Sequence, residues 1–271
     1  MRDTNIPNCM MRKVELPPLL ASDEPNSVTT VRENGNSPFF LTCDHASNRV
    51  PTKLGTLGLA SPEWKRHIAW DIGALGVAQR LSSLLDAPLI FQNYSRLVID
   101  CNRPFKNPES IPTVSESTLI PANRDLSEIE ISSRQDEIFK PYHVNITRLL
   151  DKRRQENKTT VFTAIHSFTP VYKGKSRPWD IGILYDKDNR IAKPLLELLK
   201  EDKTLTVGDN QPYQVGDEHD YSTPVHGEGK GLPYVIIEIR QDHIATLQSQ
   251  NDWGVKLRDF LGKLERTLDL F

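Results

Sequence analysis

Several apolar runs in this chain end abruptly in charged or amide side chains, and that pattern organises the rest. Phe39-Phe40-Leu41-Thr42-Cys43 stops at Asp44-His45-Ala46-Ser47-Asn48. A strand buried on both faces of a parallel sheet reads as a continuous apolar run, and in open α/β sheets ligands collect beyond the carboxyl ends of such strands. Thr159 to Ile165 repeats the pattern and ends in His166-Ser167, while Leu232 to Asp242 is the most apolar strand of all, interrupted near its end by Glu238 and Arg240. Shorter strands are expected at Ala87–Phe91 and Asp180–Tyr185, with an edge strand at Val28–Arg32.

Helical spacing fills the intervals. Ser61-Pro62-Glu63 places a proline at a first helical position, followed by an apolar stripe through Trp64, Ile68, Ile72, Leu75, Leu81 and Leu85. Ser127 and Glu130 have the spacing of a capping box and open a helix to about Asn157, kinked near Pro141. A short amphipathic helix is expected over 189–201. A closing helix from Asn251 to Leu270 should pack Trp253, Leu257, Phe260, Leu261 and Leu264 on the sheet. The polar segments 105–126 and 208–231 are loops long enough to cover a site. One α/β domain over 27–271 results, preceded by an arm, 1–26, whose lack of any period marks it as a disordered lead-in.

Composition narrows the partners. The 271 residues carry a formal charge of −2, so no global positive field exists to hold nucleic acid or anionic lipid. Cys9, Cys43 and Cys101 form no CxxC pair, and an odd count suits a reducing compartment, hence a cytoplasmic protein. No apolar run approaches the ~18 residues of a membrane span.

Candidate chemistry gathers at the strand ends. Two parallel strands each ending in a histidine can bring His45 and His166 to one edge of a sheet, where neutral imidazoles hold a metal. Asn48, three residues after His45, could add an oxygen from the same turn. Asp71, set between Trp70 and Ile72, is a further metal oxygen or a solvent-facing acid. Glu238 is either a general base in the site or the partner of Arg240, because a buried carboxylate is seldom unpaired. Arg96, Arg103 and the Arg177 of the basic turn 173–178 offer guanidinium forks for an acidic substrate, with an Arg96–Asp100 pair as the structural alternative. A cysteine nucleophile at Cys43 or Cys101 is disfavoured, since both lie in apolar runs.

The segments Cys43 to Pro51, Ala69 to Ala74, Ser95 to Pro104, Ile165 to Ser167 and Ile237 to Asp242, in that order, resemble the N-formylglutamate amidohydrolase family over about residues 28–260. The resemblance implies a phosphorylase/hydrolase-like three-layer α/β/α sandwich with a mixed central sheet, related to zinc carboxypeptidases and aspartoacylase-like deacylases. It implies hydrolysis of an N-acyl, N-formyl-type amino acid by a metal-activated water, with Zn²⁺ or another divalent ion as cofactor. By it His45 and His166 are metal ligands, Glu238 works on the water, and Arg103 sits among the substrate-binding residues. Asn48 stands where the related zinc enzymes place a glutamate, which leaves the third ligand open among Asn48, Asp44 and Asp71. His226 or Arg96 would steady the oxyanion or the substrate carboxylate. The competing class is a binding or regulatory protein of the same fold without turnover. Oligomeric state is left open.

Overall fold

Seven strands form the central sheet of the computed structural model, which describes residues 18–268. They are β1 (Val28–Val31), β2 (Phe39–Cys43), β3 (Leu89–Gln92), β4 (Val161–Phe168), β5 (Ile181–Leu184), β6 (Val207–Asp209) and β7 (Tyr234–Arg240), in the spatial order β1-β3-β2-β4-β7-β5-β6. The centre β3-β2-β4-β7 is parallel throughout. β1 joins β3 antiparallel at one side, and β5 joins β7 antiparallel at the other, carrying β6 parallel to itself. The sheet is therefore mixed.

Helices cover both faces, because a strand buried on both sides must be. They are α1 (Ala74–Leu85), α2 (Glu128–Arg134), α3 (Lys140–Gln155), α4 (Ala192–Glu201), the single-turn α5 (Ser222–His226) and α6 (Leu247–Thr267). The period of two along β2 divides the core. Phe39, Leu41 and Cys43 pack with Leu81 of α1, Leu195 of α4 and Leu257 of α6, whereas Phe40 packs with Phe162, Ile90 and Leu149 of α3. Three layers result, α/β/α.

The helix over 128–155 is interrupted as its proline requires. Ser127 Oγ accepts from the Glu130 amide at 3.3 Å and Glu130 Oε2 accepts from the Ser127 amide at 2.9 Å, closing the capping box. Pro141 has no N–H to give to the preceding turn, and the chain widens into a π-type turn over Gln135–Phe139 before α3 begins.

The stretch 61–73 departs from the helical expectation. Only one 3-10 turn, Ser61–Lys65, forms there, and α1 starts at Ala74. Asp71 is the reason: its amide donates to the His45 carbonyl at 2.9 Å, tying the segment to the end of β2. Gly73 then turns the chain into α1 with φ of 81°, where a Cβ would stand 2.2 Å from the Ile244 carbonyl oxygen. The apolar residues of the expected stripe are buried by this wrapping instead, as Ile68 is. Residues 95–104 are likewise a loop, and it buries Leu97, Val98 and Ile99.

Of the expected arm, residues 18–26 are docked. Leu19 is buried, and the Leu19 and Leu20 amides donate to the Glu137 carboxylate at 2.6 and 2.9 Å. Residues 1–17 lie outside the described residues. Among the described residues no helix is long and apolar enough to cross a membrane.

Gly73→Ala should lower the melting temperature, since it combines a left-handed backbone with a contact that backbone must give way to; strain of this kind costs on the order of 1–3 kcal/mol. Calorimetry checks this, and an unchanged Tm would contradict the role assigned to the turn.

Candidate active site and metal centre

Neighbouring parallel strands bring the two histidines together. His45 follows β2 and His166 lies on β4, and the rings sit 5.2 Å apart edge-on. Asp71 stands between them. Its Oδ2 is 2.8 Å from His166 Nδ1 and 3.3 Å from His45 Nδ1, while Oδ1 accepts from Arg96 Nη1 at 3.2 Å. One donor atom from each of His45, Asp71 and His166 falls within 4.8 Å of the others, and all three residues are buried.

The far nitrogen of each imidazole faces a separate carboxylate. His45 Nε2 is 2.7 Å from Asp100 Oδ1, and His166 Nε2 approaches Asp44 Oδ2 at 3.3 Å without hydrogen-bond geometry. These acids are themselves held. Asp100 accepts from the Asn102 amide at 2.8 Å and from Arg96 Nε and Nη2 at 3.2 and 3.1 Å, and Asp44 Oδ1 accepts from Tyr142 at 2.5 Å and Ser222 at 2.9 Å. A histidine with one nitrogen turned to a common point and the other fixed by a carboxylate is the arrangement that orients metal ligands.

Charge supports the same reading. Burial would raise Asp44, yet contact with His166 and His45 brings it down to about 2. Asp71 and Asp100 are likewise held below the usual range against burial, Asp71 by His45 and His166, Asp100 by His45 and Arg96. Burial alone would lower His45 and His166, but the surrounding carboxylates raise both. Four buried acids, counting Glu238, thus gather around one guanidinium and two imidazoles, and with the imidazoles neutral, as metal ligation requires, the group carries negative charge that a bound cation would balance. Two imidazole nitrogens and a carboxylate oxygen are donor types that suit such an ion. The donor set fits a divalent ion.

Glu238 lies on β7 directly beside His166 in register. It is 6 % exposed, its Oε2 has no hydrogen-bond partner among the described residues, and burial raises its pKa to about 7. Arg240 is not its partner: that guanidinium reaches Asp242 at 2.9 Å and Asp180 at 3.4 Å. Glu238 therefore remains an uncommitted acid in the wall of the cavity of about 750 Å³ onto which His45, Asp71 and His166 open.

The other expected residues fall in different places. Asn48 gives its amide to the Trp64 carbonyl at 2.7 Å and is not part of the cavity wall. Arg96 and Arg103 line the cavity but are committed, Arg96 to Asp71 and Asp100, Arg103 to the carbonyls of Asn102 and His219 at 3.1 and 2.5 Å. Arg177 sits between the rings of Tyr172 and Tyr213, two residues of the wall. His226 lies away from the cavity, stacked on His143 with its Nε2 2.9 Å from His143 Nδ1. His143 Nε2 faces the Cys101 carbonyl at 2.8 Å and so carries a proton, which makes His143 Nδ1 the acceptor of this pair and leaves His226 Nδ1 buried without a partner. Burial pushes the Cys43 and Cys101 thiols well up, which disfavours a thiolate nucleophile.

Tyr142, Ser222 and Tyr213 escape a reading of the sequence, for no spacing gives them a signal. The orienting roles of Asp44 and Asp100 have a faint one, since Asp44 adjoins His45 and Asp100 follows Arg96 by four.

The fold is thus an α/β/α sandwich with a mixed sheet, in which His45 and His166, from two adjacent parallel strands, meet Asp71 of the loop preceding α1 beside an unpaired glutamate. The profile of the N-formylglutamate amidohydrolase family matches residues 37–245, and the chain belongs to that family. It is similar to the crystal structure of gene product Atu2144 from Agrobacterium tumefaciens, with 38 % identity and a TM-score of 0.89 over 93 % of this chain and 99 % of that one. N-formylglutamate amidohydrolase from Ralstonia eutropha JMP134 shares the fold at 17 % identity, with a TM-score of 0.61 over 88 % of this chain and 99 % of that one. No curated protein matches the sequence.

The His143–His226 pair predicts acid sensitivity. Burial depresses His143 to about 4 and His226 to about 3 from an ordinary 6.5, so the unfolded chain takes up protons first as pH falls. Their contribution is complete well above pH 6.5 and is lost progressively as pH drops from 6.5 through about 4 for His143 and about 3 for His226. Urea midpoints should fall less between about pH 7.5 and 5 for His226→Gln than for the wild type, and equal falls would contradict the assignment.

Proposed function

We propose that the protein is a metal-dependent amidohydrolase that cleaves N-acyl, N-formyl-type amino acids. One observation carries this: two histidines and Asp71 converge on one point, each histidine backed by its own carboxylate, with Glu238 unpaired alongside. His45, His166 and Asp71 would hold the ion. When bound, it would lower the pKa of a water and polarise the scissile carbonyl. Zinc is the natural choice for an N, N, O donor set, although other divalent ions suit it too.

Glu238 does the proton work. Burial raises it and leaves one oxygen unpaired in the cavity wall, and the bound cation would favour its charged form, in which it can accept a proton. It takes a proton from the attacking water and gives it to the departing amine. Asp100 keeps the His45 ring turned toward Asp71 by a hydrogen bond, Asp44 faces the His166 ring electrostatically, and Arg96 balances Asp71 and Asp100. Asn48 is what would mark an inactive relative, and Asp71 supplies the carboxylate that Asn48 lacks.

His45→Ala, His166→Ala and Asp71→Ala should each strip most of the metal from purified protein, whereas Asn48→Ala should retain it. Elemental analysis decides, and full occupancy in the Asp71 variant would remove it from the ligand set. Glu238→Gln should keep both metal and melting temperature while kcat on a panel of N-formyl, N-acetyl and N-succinyl amino acids falls by about 10²–10⁴. A lowered Tm with kcat intact would make Glu238 a structural acid, and a wild type that cleaves none of the panel with zinc present would refute the proposed function.

A further inference from the structure

A substrate carboxylate entering this cavity needs a cation, and two of the three arginines near it are engaged. Arg96 places all three of its donor nitrogens on Asp71 and Asp100, and Arg103 ties the 102–109 segment to the His219 carbonyl and stands 3.6 Å from Asp220. Arg177 differs. It is 8 % exposed, yet it forms no ion pair among the described residues, and its one side-chain hydrogen bond runs from Nη1 to the Tyr213 hydroxyl at 2.9 Å. A largely buried arginine without a carboxylate partner is unusual, because buried charges are ordinarily paired.

Two tyrosines hold it in place. The guanidinium carbon lies 4.6 Å from the Tyr172 ring centre and 4.7 Å from that of Tyr213, a cation sandwiched between two aromatic faces. Since Tyr213 Oη accepts from Arg177, its own proton must go elsewhere, and no acceptor for it is found among the described residues. Tyr213 lines the cavity and is 39 % exposed. Lys173, on the same hairpin as Tyr172, lines it as well and adds a second positive charge. The wall also carries Asp71, Asp100, Glu109, Asp220 and Glu238, which repel an anion, and Glu116, which accepts from the Lys173 amide at 3.2 Å and is neutralised by Arg66.

We infer that the Tyr213 hydroxyl, backed by the Arg177 guanidinium, is the subsite that takes a carboxylate of the substrate. The inference rests on the amidohydrolase reading above. Tyr213 makes the contact. Arg177 supplies the charge and fixes the hydroxyl as a donor, and the rings of Tyr172 and Tyr213 keep the guanidinium from folding back onto the acids of the metal group. Specificity for a free acid thus depends on the segment 171–177 and the loop around 213, not on the arginines nearest the histidines.

Binding tests this without turnover. L-glutamate, L-glutamine and L-isoglutamine differ only in which carboxyl group is amidated, and each is titrated calorimetrically into wild type, Tyr213→Phe and Arg177→Met. Wild type should bind glutamate about tenfold or more tighter than one of the two amides, as a charge-assisted hydrogen bond allows. The amide that is disfavoured tells whether the α- or the side-chain carboxylate occupies the subsite. Tyr213→Phe and Arg177→Met should each reduce that preference to near unity, and Arg177→Lys should restore part of it. A wild type with no preference, including one that binds none of the three, overturns the inference, as does a preference that survives in Tyr213→Phe. A lowered Tm in Arg177→Met with the preference intact would make the sandwich merely structural. A protein that fails to hydrolyse the acyl amino acids but shows the expected discrimination would refute the proposed reaction and leave the subsite standing.

Discussion

A single buried carboxylate holds this site together. Asp71 receives both imidazoles on one oxygen and Arg96 on the other, and its backbone amide is pinned to His45, just past the end of β2. Remove it and two histidines on adjacent strands would have nothing between them, while Arg96 would keep only Asp100. The demand reaches beyond the site. The chain gives up helix over 61–73 so that Asp71 can reach the end of the sheet, and Gly73 supplies the left-handed turn that lets α1 begin immediately afterwards.

The surrounding acids divide their labour by partner. Asp44 and Asp100 are supplied with donors and hold the rings, whereas Glu238 has an oxygen with none. That difference follows from position. Asp44 and Asp100 lie in loops, where backbone amides, Tyr142, Ser222 and Arg96 can reach them, but Glu238 projects from the interior of β7 between apolar neighbours. Burial therefore raises Glu238 while partners hold the other acids below the usual range, and one fold sets carboxylates shifted in opposite directions side by side.

Much of this was legible in the chain. The apolar runs ending at His45 and His166 and interrupted at Glu238 reported buried parallel strands, and β2, β4 and β7 are consecutive in the sheet. What misled was the 3.6-residue spacing through Trp64, Ile68 and Ile72, because burial by wrapping needs apolar residues just as a helix does. Tyr213 was invisible for another reason. Its meaning comes from Arg177, 36 residues away, and a loop tyrosine carries no periodicity. Contacts closed over 26 to 95 residues, such as those of Asp71 with His45 and His166, are set by the tertiary fold alone.

Everything proposed for the chemistry depends on one divalent ion at the point where the two Nδ1 atoms and the Asp71 carboxylate converge. Anomalous diffraction from crystals grown with zinc tests this most directly. A single strong peak is expected within bonding distance of His45, His166 and Asp71, with Glu238 beside it but unbound. A peak ligated by Asn48 in place of Asp71, or no peak among these residues in protein that turns over, would contradict it.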